Sequence, residues 1–267
     1  GRVLGIPVIV SARGTDINLF PSFRLIRPKI RWTLSEAAGV VAVSAALKVA
    51  MVALGTPPEK IRVIPNGIDT GRFRPIERRA AREKLGLPAE GPCVVAVGNL
   101  IPTKGQELLI AALAKLAMQR PALKLYLVGD GPQKASLEAQ AKSLGLGDRV
   151  VFAGARPHDE LPLWFNAADL SCLASRREGL PNVVLESLAC GTPVLATRVG
   201  GVPEVLTSRD LGILADPEVA SIAAAMEEAL ARTWDRELLA RHVHSRTWEG
   251  VAAEVEQFLT ECCARCR

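Results

Sequence analysis

Short runs of uninterrupted apolar residues alternate, along most of this 267-residue chain, with longer stretches of helical periodicity. The runs are Val8–Ser11, Gly39–Val43, Arg62–Ile64, Cys93–Val97, Lys124–Val128, Val150–Ala153, Leu170–Leu173, Pro193–Thr197 and Gly212–Leu214. The helical patterns cover about Lys104–Gln119, Gln133–Leu144, Asp159–Ala168, Val183–Ala189 and Pro217–Thr233. A strand with one wet face alternates apolar and polar residues; these do not. They read as strands of a parallel sheet covered by helices on both faces. With 49% hydrophobic and 23% charged residues, the chain is neither disordered nor fibrous. The loops after several strands carry Gly, Asp, Asn or Lys: Gly98-Asn99, Gly129-Asp130-Gly131 and Ala174–Gly179. In an open parallel sheet, ligands bind at such carboxyl ends.

The run PNGIDTGRFRP, residues 65–75, is rich in turn residues and lacks apolar periodicity. It reads as an interdomain hinge with a strand-bearing unit on each side and a cleft between them. Residues 1–64 form the first unit and 76–245 the second. A final helix is expected near 247–262. Charge divides at about the same place. Residues 1–80 hold 13 Lys or Arg against 5 Asp or Glu, and the rest 20 against 23. A basic first third suits an anionic partner.

The stretch 37–55 has Lys48 as its single charge and sits at the length threshold for a membrane span. Its alanine content, with Ser44 and Lys48 near the centre, favours a buried strand followed by a helix starting after Ser44. Cys93, Cys172 and Cys190 sit in apolar stretches and read as small buried hydrophobes of a reducing compartment. The cluster Cys262, Cys263 and Cys266 resembles half a zinc site whose only nearby partners are His242 and His244. Disordered terminal thiols are the preferred reading. No basic-then-apolar leader opens the chain, which implies no signal peptide and a cytoplasmic location.

Residues Glu178–Glu186, EGLPNVVLE, follow a strand and open a helix, with Asn182 as a cap. Gly179 permits close backbone approach. The free amides of Leu180, Asn182 and Val183, with the helix dipole, suit a diphosphate. Glu178 and Glu186 then suit sugar hydroxyls on either side of it; equally, both are solvated charges that complement the helix dipole. In Gly98–Gln106 a strand ends at Val97 and a helix is expected near Lys104. A cation at a helix N-terminus is unfavourable unless an anion sits there, so Lys104 is either an anion ligand or a snorkelling surface lysine. Gly129-Asp130-Gly131 reads only as a tight turn. The sequence holds no dinucleotide fingerprint, no P-loop, no nucleophile elbow and no HExxH zinc motif.

The segment Phe20–Trp32, FPSFRLIRPKIRW, interleaves Arg24, Arg27, Lys29 and Arg31 with apolar residues. It suits an interfacial helix on anionic lipid, or an ordinary amphipathic helix with a basic face; Pro28 weakens both. No nucleic-acid-binding pattern is present, so nucleic acid is not the expected partner.

Taken together, GIPVIVSARGTDIN, VVAVSAALKVAMVALG, KIRVIPNGID, VVAVGNLIPTKG, LYLVGDGP, RVVFAG, LPLWFNAADL, RREGLPNVVLE and ACGTPVLATRVGGVPEV resemble, in order and over most of the chain, the family 4 (group 1) glycosyltransferases. The Glu178 to Glu186 element is the most specific piece. The resemblance implies a GT-B fold, an α/β architecture of two Rossmann-like parallel-sheet domains facing a cleft. The N-terminal domain would be only partly present, lacking the glycine-rich first loop that lies upstream in the family. It also implies roles. Glu178 matches the residue that contacts the transferred sugar, and Glu186 the one that holds the ribose hydroxyls. Lys104 and Gly98 match the diphosphate site. Gly179, Leu180, Asn182 and Val183 match the loop and amides beside sugar and phosphates, and Gly154 and Ala155 the base site. Asp16, Asn66 and Gly67 match the cleft and hinge, and residues 246–267 match the family's C-terminal helix, which crosses back to the N-terminal domain, and tail. Two positions depart from the pattern. Asn99 stands where the family has Arg, and Arg13 stands where it has the His near the reacting sugar. The expected activity is retaining transfer of a hexosyl group from a nucleotide diphosphate sugar to a hydroxyl of a glycan, lipid-linked or small-molecule acceptor. No cofactor or metal is required on this reading. A peripheral position on the inner membrane face is the expected use of Phe20–Trp32. The alternatives are a truncated nucleotide-sugar-binding module without transferase activity and a GT-B sugar epimerase.

Overall fold

The computed structural model describes residue 1 and residues 4–265. It divides into two compact units. One comprises residues 1–67, 177–181 and 246–267; the other comprises 68–176 and 182–245.

In the first unit, β1 (Ile9–Ala12) is followed by α1 (Thr15–Asn18) and α2 (Arg27–Glu36). Then come β2 (Gly39–Ala42), α3 (Ala45–Ala53) and β3 (Ile61–Val63). The strands form a parallel sheet in the order β1-β2-β3, with Ile9 opposite Gly39 and Val40 opposite Ile61. Strand ends fall within a residue of the apolar runs, because pairing and not hydropathy sets them. The apolar stretch 37–55 resolves into β2 and α3. Ser44 caps α3 by accepting from the Leu47 amide at 3.2 Å. Lys48 Nζ donates to the Ile61 carbonyl at 3.0 Å. Among the described residues, no helix is long and apolar enough to cross a membrane.

Proline punctuates the basic segment. A short 3-10 turn occupies Phe20–Ser22, and α2 starts at Arg27 with Pro28 in its first turn, where a missing N–H costs nothing. The segment is therefore a turn and a helix start, not one continuous amphipathic helix.

The second unit opens with α4 (Arg78–Lys84) and β4 (Cys93–Val97), then α5 (Gln106–Leu116), β5 (Lys124–Val128), α6 (Lys134–Ser143) and β6 (Val150–Gly154). It continues through α7 (Leu161–Ala167), β7 (Leu170–Leu173), α8 (Asn182–Ala189), β8 (Val194–Thr197), α9 (Val202–Val205), β9 (Gly212–Ala215), α10 (Val219–Ala231) and α11 (Arg236–His244). Its six strands are all parallel, in the order β6-β5-β4-β7-β8-β9. The chain lays down β5 and β6 on one side of β4, then crosses to place β7 on the other. The order reverses between β4 and β7, and the loops leaving that pair diverge to leave a crevice. Both faces are covered: on one, Leu109, Ile110 and Leu113 of α5 and Ile222 and Met226 of α10 pack with Val94, Leu125, Leu127 and Leu195 of the sheet, and on the other Trp164 of α7 meets the Tyr126 ring of β5 at 5.9 Å. Each such side chain contributes roughly 1.5–3 kcal/mol on burial. Cys93, Cys172 and Cys190 are buried free thiols; burial pushes Cys93 up to about 12 and raises the other two further.

The last helix, α12 (Trp248–Arg265), belongs to the first unit. It buries Phe258 and Cys262 against Val41 and Ile64. The approach is close: a Cβ on Gly39 would lie 2.7 Å from both Cys262 Sγ and Phe258 Cζ. Cys262 is thus a core residue of an ordered helix and not a loose terminal thiol, while Cys266 lies outside the described residues.

Candidate functional site

In the second unit, the loop after β4 is fastened to the loop after β5. The Gly98 amide donates to the Val128 carbonyl at 2.9 Å, and the Leu100 amide to the Asp130 carbonyl at 2.9 Å. A Cβ on Gly129 would sit 2.1 Å from the Gly98 oxygen, and one on Gly131 2.5 Å from the Leu100 oxygen. Gly129-Asp130-Gly131 is therefore the clip that fixes the Gly98 loop, a role the bare turn did not reveal. Beside Gly98 itself nothing lies within 4 Å of a notional Cβ, so its face is open.

Lys104 is not at the helix start. It ends the 3-10 turn Pro102–Lys104; Gly105 then adopts a left-handed conformation (φ 66°), and α5 begins at Gln106. Gly105 is required there on two counts, since its positive φ disfavours a side chain and a Cβ would lie 2.1 Å from the Ala174 oxygen. That contact ties the loop after β4 to the loop after β7, as does the Arg176 amide donating to Thr103 at 2.8 Å. Lys104 is half-buried and Asn99 exposed, its carbonyl accepting from Gln106 Nε2 at 2.9 Å. The two switch-point loops are thereby held rigidly by backbone contacts. Gly154, with φ 75°, ends β6 with its Cβ position open, and its carbonyl accepts from the Gly129 amide at 2.8 Å; Ala155 beyond it is exposed.

At the start of α8, Asn182 is the first helical residue instead of the cap before it, and Val183 is half-buried. Glu186, one turn in, is only 7% exposed. Its Oε1 lies 3.2 Å from His158 Nε2, and His158 Nδ1 lies 2.8 Å from the Arg72 guanidinium. A guanidinium can only donate, so Nδ1 accepts; the neutral ring then carries its proton on Nε2 and donates to Glu186. Burial raises the Glu186 carboxyl above its ordinary value, and His158 partly opposes that. Phe73 packs edge-on against the imidazole at 5.2 Å. Neither His158 nor Arg72 was legible as a site residue. The usable signal was one of three histidines falling in a loop after a strand.

In the first unit, the loop after β1 folds around Asp16. Its Oδ1 accepts from the Gly14 amide at 2.7 Å and its carboxylate from the Arg13 amide at 3.2 Å. Arg13 Nη1 donates to Asn66 Oδ1 at 2.8 Å, which joins this loop to the end of the segment after β3. Gly67 lies against the start of α12; a Cβ there would be 2.8 Å from the Thr247 carbonyl carbon. Residues 177–181 pack within the same unit. The Glu178 carbonyl accepts from Asn18 Nδ2 at 2.9 Å, and Leu180 is buried. A Cβ on Gly179 would lie 2.1 Å from the Arg13 oxygen, and one on Gly14 would lie 3.1 Å from the Gly179 nitrogen. Two glycines thus let two backbones touch directly.

Residues 77–246 match the family model for glycosyl transferases group 1, and residues 1–72 match that for Glycosyltransferase Family 4. The chain belongs to the group 1 glycosyl transferases. Its α/β architecture of two Rossmann-like parallel-sheet units is of the GT-B type. This group 1 chain is 37% identical, over 73% of its length and 45% of the relative's, to the D-inositol 3-phosphate glycosyltransferase of Segniliparus rotundus. It is 32% identical to the 2-deoxystreptamine glucosyltransferase of Streptomyces kanamyceticus, over 86% of this chain and 62% of that one. Among solved structures, Anabaena HepE in complex with UDP superposes with a TM-score of 0.85 at 26% identity, covering 97% of this chain and 74% of that one. Sucrose-phosphate synthase from Thermosynechococcus elongatus gives 0.82 at 29% identity, covering 94% and 65%. The chain spans about half the length of the curated relatives it matches.

Proposed function

We propose that this protein transfers a hexosyl group from a nucleotide diphosphate sugar to a hydroxyl of a glycan, lipid-linked or small-molecule acceptor, with retained anomeric configuration. The observation that carries the reading is the β4/β7 switch point. It joins an open Gly98 face, the half-buried Lys104 and the start of α8 with its buried Glu186. The UDP bound by the 26%-identical HepE supports a nucleotide ligand.

In this proposal Lys104 and the α8 N-terminus take the charge that develops on the leaving diphosphate, so no metal is required. Glu186 accepts from the ribose hydroxyls, exchanging its bond to the His158 Nε2–H. Glu178 accepts from a hydroxyl of the transferred sugar. Gly154 and Ala155 flank the base. Arg13, in place of the family's His, is held by Asn66 and lies in the loop proposed to serve the reacting sugar. Attack comes from the face the diphosphate leaves. The acceptor oxygen bonds to the anomeric carbon, the bond from that carbon to the diphosphate oxygen breaks, and the acceptor proton passes to the departing phosphate. The basic segment offers Leu25 and Trp32, 83% and 59% exposed, among Arg24, Arg27, Lys29 and Arg31, which supports a peripheral seat on anionic lipid.

A thermal-shift panel with UDP, GDP, ADP and their hexose conjugates tests the core of this. One series should raise the melting point, as about 2.7 kcal/mol of stabilisation at a hundredfold excess over Kd requires. Glu186→Ala should abolish the effect. A cooperative melt that no nucleotide moves would overturn the reading.

A further inference from the structure

The opposite end of the six-stranded sheet carries a second feature. An open cavity of about 850 Å³ lies at the amino-terminal edge, where Pro92, Asp169 and Pro193 lead into β4, β7 and β8. Its volume falls within the range of about 300–1,000 Å³ typical of small-ligand sites. Five arginines line it, Arg78, Arg79, Arg82, Arg232 and Arg236, with no lysine.

The acidic residues of the lining, Glu77, Glu90 and Asp169, do not balance them. Asp169 serves two, with Arg78 at 2.5 Å on one oxygen and Arg82 at 2.9 Å on the other. Glu77 turns its carboxylate to the Ala80 amide as the cap of α4, and Glu90 is exposed. Arg232 pairs with Asp210, outside the cavity lining, and lies over the Trp234 ring. Among the described residues, Arg236 finds only neutral acceptors: Nη2 donates to Asn166 Oδ1 at 2.8 Å, to the Cys190 carbonyl at 3.1 Å and to the Ile76 carbonyl at 3.3 Å. Burial, and then the like charge of Arg78, make its cation less favourable than usual. Among the described residues, Arg78 Nε and Arg236 Nε are buried with no hydrogen-bond partner, so neither guanidinium is fully paired within the protein. Guanidinium forks match phosphate oxygens two at a time, which a set of arginines without lysines suits.

We infer that this cavity is a binding site for a small phosphate-bearing molecule, separate from the switch-point loops. The arginines chelate the phosphate oxygens, and Arg79, which is exposed, closes over them. Any effect on turnover would be regulatory, since the site lies at the other end of the strands from the loops proposed for transfer.

Calorimetric titration of the full chain with inorganic phosphate, pyrophosphate and glucose 6-phosphate tests this, with the Trp234 indole N–H resonance followed in parallel. Inorganic phosphate alone binding would identify the ligand as the free ion; tighter glucose 6-phosphate binding would identify a sugar phosphate. At least one probe should saturate below about 1 mM and move the Trp234 resonance. Arg79→Gln should weaken it at least threefold and Arg79→Gln/Arg236→Gln at least tenfold. Lys104→Ala, in the donor loop, should leave it unchanged, which separates this result from the fate of the transferase reading. If Arg236→Gln fails to fold, Arg79→Gln alone decides, because its side chain is on the surface. Loss of binding in Lys104→Ala with retention in Arg79→Gln would overturn the inference, as would no saturable binding by any probe or binding that leaves Trp234 unmoved.

Discussion

Replacing Gly179 by alanine tests whether direct backbone contact holds the Glu178 loop against the loop after β1. The added Cβ would lie 2.1 Å from the Arg13 carbonyl oxygen, against 3.4 Å for an ordinary contact, so the two segments must move apart to make room. The obstacle is backbone on both sides, 2.9 Å to the Arg13 carbonyl carbon and 3.0 Å to the Gly14 Cα, and no side chain can rotate away. Overpacking of this kind costs ~1–3 kcal/mol, equivalent to a fall of roughly 2–12 °C in Tm for a chain of this size. Gly147→Ala is the control, because nothing lies within 4 Å of its Cβ. Differential scanning calorimetry on both variants reads the difference. The displacement also moves Glu178, whose carbonyl is anchored by Asn18, so turnover should fall about 100-fold for a shift of about 1 Å. Nucleotide-induced stabilisation should survive, since Lys104 and Glu186 lie in the other unit. A stability within about 0.5 kcal/mol of the Gly147→Ala protein, with unchanged turnover, would refute the reasoning.

Burial raises the folded-state carboxyl of Glu186 above its unfolded value of 4.5, so wild-type stability is fullest below that pH and declines as pH rises through the folded value. Ligand-free Glu186→Gln should accordingly melt above wild type at pH 7, with the gap closing towards pH 4, and it should lose nucleotide binding; a pH series of melts reads the sign. Asp169→Asn leaves the 4%-exposed Arg82 without its counter-charge, and a loss of about 3 kcal/mol in urea unfolding is expected. Gly105→Ala forces a side chain into a left-handed backbone against the Ala174 oxygen; it should lower the urea midpoint and weaken nucleotide binding together.

The fold was legible because its strands are short continuous apolar runs, most of them buried. Every apolar run in the sequence became a strand; β2, β7 and β8, buried along their whole length, have no polar register to hide them, and even the short Ile61–Val63, with Arg62 exposed, pairs into the sheet. Punctuation was read less well. Gly105 moved the start of α5 two residues past Lys104, and Pro28 moved the start of α2 to Arg27, because each terminus is set by one residue's dihedral angles. The contacts that define the site were hidden for a different reason. His158 and Glu186 are 28 residues apart, and Asn18 and the Glu178 carbonyl 160; each pair meets only through the folded sheet. Cys262 looked like part of a frayed tail because the helix that buries it is half polar, and its partner surface is made by Val41 and Ile64, near the other end of the chain.

The path of the chain has a practical consequence. It changes unit four times, after Gly67, Arg176, Pro181 and Ser245, so neither unit is a single stretch of polypeptide. A protein opened between Gly67 and Ile68 would not fall into two domains. The piece 1–67 would keep β1, β2 and β3, yet the helix that covers Val41 and Ile64 would arrive on the other piece, carrying Phe258, with Glu261 reaching Arg62 and Arg246 reaching the Pro65 carbonyl. The two polypeptides would have to find each other to complete the sheet's cover. Expressed from separate genes, the two pieces are expected to be stable only together, which co-purification of a tagged 1–67 piece with the 68–267 piece would read.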